Sequence, residues 1–405
     1  MNSKATPIPI PRRLAEVTPF QAMEVFQLAG ELERQGQSII HLEFGEPDFP
    51  PPEPVRQAAV TAISEGHTRY THSLGIPPLR EEICLHYRNR YGIHLDPSRI
   101  LVSTGTSVLA QIVMLLLLEP GDQVIVTDPA YACYANYVRI AGGEPVLLPL
   151  REEDGFQVDP DAVRRLVTPR TRALLICSPS NPTGSLLTPA TLKALGGLDL
   201  PVISDEIYHG LTYEGEEHTM LSYSDKAFVL NGFSKYFAMT GWRLGYMVFP
   251  AAVRPTLMRL HQNIMISAAE PAQYAGLAAL RQGIPEYERY KAEYDRRRRV
   301  MIGRLAAMGL PMKYTPAGAF YCFVNARHIH PDSVALARDI LTRAGVAVTP
   351  GIDFGPGSEG YLRFSYANSM ENIQLGMDRL EEYLKRPLHN SFFPIPLPPS
   401  QREGG

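Results

Sequence analysis

The chain has 405 residues, 45% hydrophobic and 20% charged, with a formal net charge of −3. That length exceeds one ordinary core and points to about two domains, while the composition excludes wholesale disorder. The near-neutral charge excludes a global basic field for nucleic acid or an anionic membrane surface. Cys84, Cys133, Cys177 and Cys322 are scattered and form no C-x-x-C pair, which argues against a disulfide framework or a zinc site and for a reducing compartment. Met1 to Arg13 has no apolar core, so no secretory signal is expected and the cytoplasm is the expected location. The longest strongly apolar stretch, Val108 to Leu118, is interrupted by Gln111. It falls short of the ~20 residues of a membrane span and predicts a buried helix.

Met1 to Pro19 is polar and proline-rich and predicts an extended arm. Gln21 to Gln35 carries apolar residues at helical spacing, and Ile39 to Phe44 predicts a strand running into the turn Gly45-Glu46-Pro47-Asp48. Leu79 to Tyr91 and Tyr134 to Ala141 predict helices. Strands are predicted at Ile100 to Ser103, Gln123 to Thr127, Glu144 to Leu150, Ala173 to Cys177, Pro201 to Ser204, Ala227 to Leu230 and Leu244 to Phe249. Short apolar strands separated by helices predict an α/β fold with a mostly parallel sheet. Long helices follow from Arg254 to Met308 and include Arg296-Arg297-Arg298-Arg299, read as a solvated helix face. A mixed α+β segment runs from Tyr314 to about Leu384, and a proline-rich tail from Arg386 to Gly405 predicts a disordered or surface-draped end.

Lysine is sparse, and Lys235 has unusual surroundings: an apolar strand ends at Leu230, a small hydroxyl-bearing loop follows, and Arg243 lies eight residues on. A lysine at the carboxyl end of a parallel strand sits where ligands collect, and shielding there lowers its pKa toward a free amine. Ser234 and Arg243 both suit a phosphate. Gly105-Thr106-Ser107 stands before the apolar helix, where it reads as a phosphate cradle or simply as a helix cap. Asp205 follows a strand, which suits a helix N-cap as well as a site. Asn181, in Ser178-Pro179-Ser180-Asn181-Pro182-Thr183-Gly184, lies in a rigid turn. Arg363 stands in a strand-like alternation, the usual place of a solvated edge charge.

Ser234-Lys235-x-Phe237-x-Met239-x-Gly241-Trp242-Arg243-x-Gly245 closely resembles the cofactor-lysine signature of the class I and II aminotransferases of the type I pyridoxal-phosphate fold. The resemblance runs from about Phe20 to Leu384, with the other motifs in family order. It implies a large domain at residues 51–289 and a small α+β domain from residues 20–50 and 290–385, flanked by the arm 1–19 and the tail 386–405. It implies pyridoxal 5′-phosphate held by Lys235 as a Schiff base. Asp205 would pair with the ring nitrogen, Asn181 and Tyr208 would donate to the phenolic oxygen, and Tyr131 would stack on the ring. Gly105, Thr106, Ser107, Ser234 and Arg243 would hold the phosphate. Arg363, with the Gly45 backbone, would take the substrate carboxylate, and Asn181 would bind substrate as well as cofactor. Tyr70 would reach the phosphate of a neighbouring subunit in a homodimer.

The activity implied is transfer of an amino group from an L-amino acid to a 2-oxo acid, 2-oxoglutarate or pyruvate, by a ping-pong exchange. A C–S β-lyase on the same scaffold is the alternative, because the pocket selects the bond broken. A non-catalytic cofactor-binding regulator is a remote one, since no DNA-binding head precedes residue 20. In one branch of aspartate aminotransferases a lysine follows the phosphate-loop glycines and reads the side-chain carboxylate. This chain has Ser107 there, which weakens an aspartate assignment.

Overall fold

The computed structural model describes residues 10–385, so the tail expected at 386–405 lies outside the described residues. The described part of the arm is not extended throughout: Arg12–Ala15 forms one helical turn after Pro11, whose missing N–H the first turn would leave unpaired anyway. Twelve strands follow. They are β1 (Ile40–His41), β2 (Ile100–Ser103), β3 (Gln123–Asp128), β4 (Glu144–Pro149), β5 (Thr171–Cys177) and β6 (Val202–Asp205). The rest are β7 (Phe228–Gly232), β8 (Gly245–Val248), β9 (Tyr321–Asn325), β10 (Val346–Ala347), β11 (Thr349–Pro350) and β12 (Tyr361–Ser365).

A seven-stranded sheet has the order β2-β8-β7-β6-β5-β3-β4. β4, β3, β5, β6 and β7 pair in parallel, while β8 runs antiparallel to both neighbours. The exception has a local cause. Between β7 and β8 the chain makes only a loop with one short 3-10 turn, Thr240–Trp242. A parallel return usually carries a crossover helix, and this connection has none, so it brings the strand back antiparallel. Lys235 lies in that loop.

Alternate residues of the inner strands pack into separate cores on the two faces. Ile125, Leu174, Ile176, Val202 and Val229 face one way, with helices Pro77–Tyr91 and Glu270–Gln282 over them. Val124, Val126, Leu175, Ile203 and Leu230 face the other, under helices Thr106–Leu117 and Arg254–Ile264. Both faces are covered, hence the continuous apolar runs in the sequence.

The two ends of the described chain meet on a smaller unit. β1 pairs in parallel with β10, and β11, β12 and β9 form an antiparallel sheet. Helix Gln21–Arg34 packs Val25, Ala29 and Leu32 against Leu341 of helix Ser333–Ala344. The strand expected at Ile39 to Phe44 is a ladder only at Ile40–His41, because the chain then leaves the sheet to reach the cavity described below.

The arginine run is not a solvated face. Arg296 and Arg299 are exposed, but Arg297 and Arg298 of helix Ile284–Ala307 are buried. Arg297 pairs with Asp48 at 2.8 Å and Glu293 at 3.0 Å. Arg298 pairs with Glu214 at 2.6 Å and donates to the Pro316 carbonyl at 2.9 Å. At ~100° per residue, four consecutive residues sweep the whole helix circumference, so two must turn inward. Among the described residues no helix is long and apolar enough to cross a membrane.

Candidate active site

Cys177 and Asp205 end β5 and β6 in register, at the edge of the sheet where the carboxyl ends of the parallel strands lie. A cavity of about 280 Å³ opens there. Its wall includes Gly45, Thr106, Ser107, Tyr131, Asn181, Asp205, Tyr208, Ser234, Lys235, Arg243 and Arg363, residues separated by up to most of the chain. Gly105 stands just behind the wall. Tyr70 is not part of it and is 81% exposed.

The Lys235 amine donates to the Gly45 carbonyl at 2.6 Å. It keeps some solvent contact through the cavity but is otherwise surrounded by protein. That burial, and then the positive charge of Arg363, bring its pKa down to about 8; Arg243 adds to this, and Glu46 and Asp205 oppose it. Asp205 is buried and accepts from the Tyr134 hydroxyl at 2.7 Å and the Ile207 amide at 3.1 Å. Burial raises its carboxyl to about 6, against the lowering effect of those two donors.

Arg363 is buried on β12 and donates to Asn181 Oδ1 at 2.8 Å, to the Glu43 carbonyl at 2.5 Å and to Thr349 Oγ1 at 3.1 Å. Its guanidinium lies over the rings of Tyr321 at 4.3 Å and Phe354 at 4.8 Å, and its Nε has no hydrogen-bond partner. Tyr208 and Tyr321 share a hydroxyl–hydroxyl contact of 2.8 Å, and Asn181 Nδ2 donates to the Tyr208 hydroxyl at 3.5 Å. Burial pushes the phenols of Tyr208 and Tyr321 upward, so both remain neutral donors.

Helix Thr106–Leu117 points its amino end at the cavity. Its N-cap is Gly105 at φ 89°, so no side chain occupies the first-turn amides. Arg243, itself left-handed at φ 53°, sits against that end. A Cβ on Gly105 would stand 2.8 Å from the Arg243 guanidinium, and the φ of 89° is itself a conformation that favours glycine.

Several residues of the wall gave no separate signal in the sequence, Tyr134, Tyr321 and Glu43 among them. Tyr134 lies three residues beyond Tyr131, with ring centroids 5.4 Å apart, a spacing that a helical reading could have flagged. Tyr321 and Glu43 reach the cavity from β9 and from beyond β1, through contacts that no local pattern encodes.

These residues fit an aromatic aldehyde that carries a phosphate and a basic ring nitrogen. The uncapped helix end and Arg243 suit the phosphate. Tyr131 offers a ring face, buried Asp205 a charge for the ring nitrogen, and Lys235 an amine of depressed pKa. The unpartnered Arg363 Nε leaves a donor for a carboxylate beside them.

Comparison with known proteins agrees. A family model for aminotransferase class I and II matches residues 37–380. The aspartate/prephenate aminotransferase of Thermus thermophilus is 38% identical over 391 residues, covering 93% of this chain and 98% of that one. The (5-formylfuran-3-yl)methyl phosphate transaminase of Methanocaldococcus jannaschii is 36% identical over 380 residues, covering 93% and 99%. The solved structure of Thermus thermophilus aspartate aminotransferase with maleate has a TM-score of 0.88 at 38% identity, covering 93% of this chain and 99% of that chain. The chain belongs to the class I and II aminotransferases, enzymes that depend on pyridoxal phosphate.

Proposed function

We propose that this aminotransferase moves the amino group of an L-amino acid to a 2-oxo acid, 2-oxoglutarate or pyruvate, in a ping-pong cycle centred on Lys235. The observation that carries the reading is the convergence of Lys235, Asp205, Asn181 and Arg363 on one cavity. When bound, pyridoxal phosphate supplies an electrophilic carbon and a ring that accepts electrons.

The residues divide the remaining work. Lys235 would hold the cofactor through Nζ and, as a free amine, would be the base that takes the proton from the substrate Cα. Before the cofactor is attached, an amine brought down to about 8 has a neutral fraction near neutral pH that suits the attachment. Asp205 holds positive charge on the ring nitrogen through a desolvated carboxylate. Asn181 Nδ2 and the Tyr208 hydroxyl donate to the phenolic oxygen. Tyr131 stacks on the ring. Gly105, Thr106, Ser107, Ser234 and Arg243 grip the phosphate, and Tyr70 reaches the phosphate of a second subunit. Arg363 holds the substrate carboxylate through its planar fork, next to the Gly45 backbone. Residues 20–50 and 290–385 form the small domain and close over residues 51–289.

The test is an absorbance titration of cofactor-loaded protein with L-amino acids, with ammonia and 2-oxo acid assayed in parallel. Conversion of the bound cofactor to its amine form, reversed by a 2-oxo acid, is the expected result. Ammonia release without the amine form would move the assignment to a β-lyase. Lys235→Ala is expected to lose the covalent cofactor band and nearly all turnover; a variant that turned over normally would remove Lys235 from the mechanism.

A further inference from the structure

The segment Phe20–Ala22 carries information on the substrate side chain. Phe20 and Ala22 line the same cavity as Lys235 and Arg363. Their position is fixed from the Arg363 side. The amides of Gln21 and Ala22 donate to the two carboxylate oxygens of Asp353, at 2.9 Å and 3.3 Å. The next residue, Phe354, covers the Arg363 guanidinium. A substrate whose α-carboxylate lies on Arg363 therefore meets Phe20 and Ala22 as its neighbouring wall. The Phe20 ring meets Tyr131 edge-on at 6.1 Å. Beyond that contact lies a second cavity of about 390 Å³, bordered by Pro19, Gln21, Tyr131, Ala135 and Val334.

The charges in the cavity point the same way. Among the described residues its cations are Lys235, Arg243 and Arg363, each engaged as described above. The carboxylates of Glu43 and Glu46 belong to residues of the same wall. Glu43 is fully buried, but its Oε1 lies 2.7 Å from His41 Nδ1, an imidazole whose pKa that contact raises to about 9, so the pair carries little net charge. Among the described residues a second substrate carboxylate would find no free cation in this space, and leaving it unpaired there is costly. An aromatic or large aliphatic side chain would instead gain burial and ring-edge contact.

We propose that the wall formed by Phe20, Ala22 and Tyr131 selects large apolar and aromatic L-amino acids over dicarboxylic ones. One pocket serves both halves of a ping-pong cycle, so monocarboxylic 2-oxo acids are preferred over 2-oxoglutarate as acceptors. This rests on the transaminase reading above and narrows it.

The experiment is a set of single half-reactions, followed by absorbance on the cofactor-loaded enzyme without acceptor. Phenylalanine, tyrosine, leucine, alanine, aspartate and glutamate are compared. The expected result is a specificity constant for phenylalanine or tyrosine at least about tenfold above aspartate and glutamate. Phe20→Ala is expected to lower the phenylalanine-to-alanine ratio about tenfold. Aspartate or glutamate reacting fastest would overturn the proposal, and would mean that a cation enters the cavity from outside this chain. An unchanged ratio in Phe20→Ala would also overturn it. Conversion of no amino acid at all would instead overturn the transaminase reading itself.

Discussion

Gly45 shows how little room the cavity leaves. Its backbone is not left-handed, so conformational freedom is not what the position requires. A Cβ built there would stand 1.7 Å from the Tyr321 hydroxyl oxygen and 2.6 Å from its ring carbon. The same residue's carbonyl accepts from Lys235. Gly45→Ala must push Tyr321 away from Tyr208 or shift the loop beneath Lys235. We expect a fall of about tenfold or more in the specificity constant for the amino donor, read from half-reaction kinetics, with the thermal midpoint lowered by about a few degrees. Lys235 carries a second expectation at this scale. Its amine titrates near 8 before the cofactor is attached, and only the neutral form attacks the aldehyde. The neutral fraction rises about tenfold between pH 7 and pH 9 for such a group. Stopped-flow uptake of pyridoxal phosphate by the cofactor-free protein should accelerate across that window by a similar factor. A rise of about a hundredfold, as an ordinary lysine would give, would show that the amine is not depressed as its surroundings require.

Helix Ile284–Ala307 shows what a whole element does with charges that a residue-by-residue reading places in water. Arg298 is buried against Glu214, Asp295 and the Pro316 carbonyl, whereas Arg299 is exposed beside the same Asp295. Arg298→Ala strands those acceptors and should lower stability by about 2–3 kcal/mol in urea unfolding. That is below the ~3–5 expected for a fully buried pair, since half-exposed Glu214 can regain water. Arg299→Ala should cost about 0.5 kcal/mol or less. Equal costs would contradict the burial difference. The central strands were legible because both of their faces are covered, and covered strands read as unbroken apolar runs. Helices Glu53–Ser64, Pro160–Leu166 and Pro189–Gly196 were not legible. Each opens with proline in its first turn, and a proline cluster reads as loop when the periodic signal behind it is short. Within the cavity, Lys235, Asp205 and Asn181 each follow a strand end, a position that also suits a loop, a helix cap or a turn, and it was the resemblance of the Ser234 to Gly245 run to the family signature that singled them out. Tyr321 and Glu43 were not singled out, because β9 and β1 bring them in through non-local pairing.

At the scale of the whole molecule, Tyr70 is the residue that one chain does not explain. It is 81% exposed, lies outside the cavity, and sits in a loop tied down by the Arg69 amide on Glu270 and the Thr71 amide on Ser267. An ordered, exposed aromatic of that kind suits contact with a second copy, and the proposed assembly is a homodimer in which Tyr70 completes the partner's phosphate site. The arrangement has a consequence that a self-contained site lacks. Each site would take Lys235 from one chain and Tyr70 from the other. A mixed dimer of a Lys235→Ala chain and a Tyr70→Ala chain then has one site with both substitutions and one site with neither. Purified through two different tags, such dimers should regain about half the wild-type activity per dimer, although both parent homodimers are weak. If Tyr70 served only its own chain, every site in the mixed dimer would carry one substitution. Activity would then stay at the mean of the two parents. Recovery above that mean would place the two residues on opposite sides of one interface.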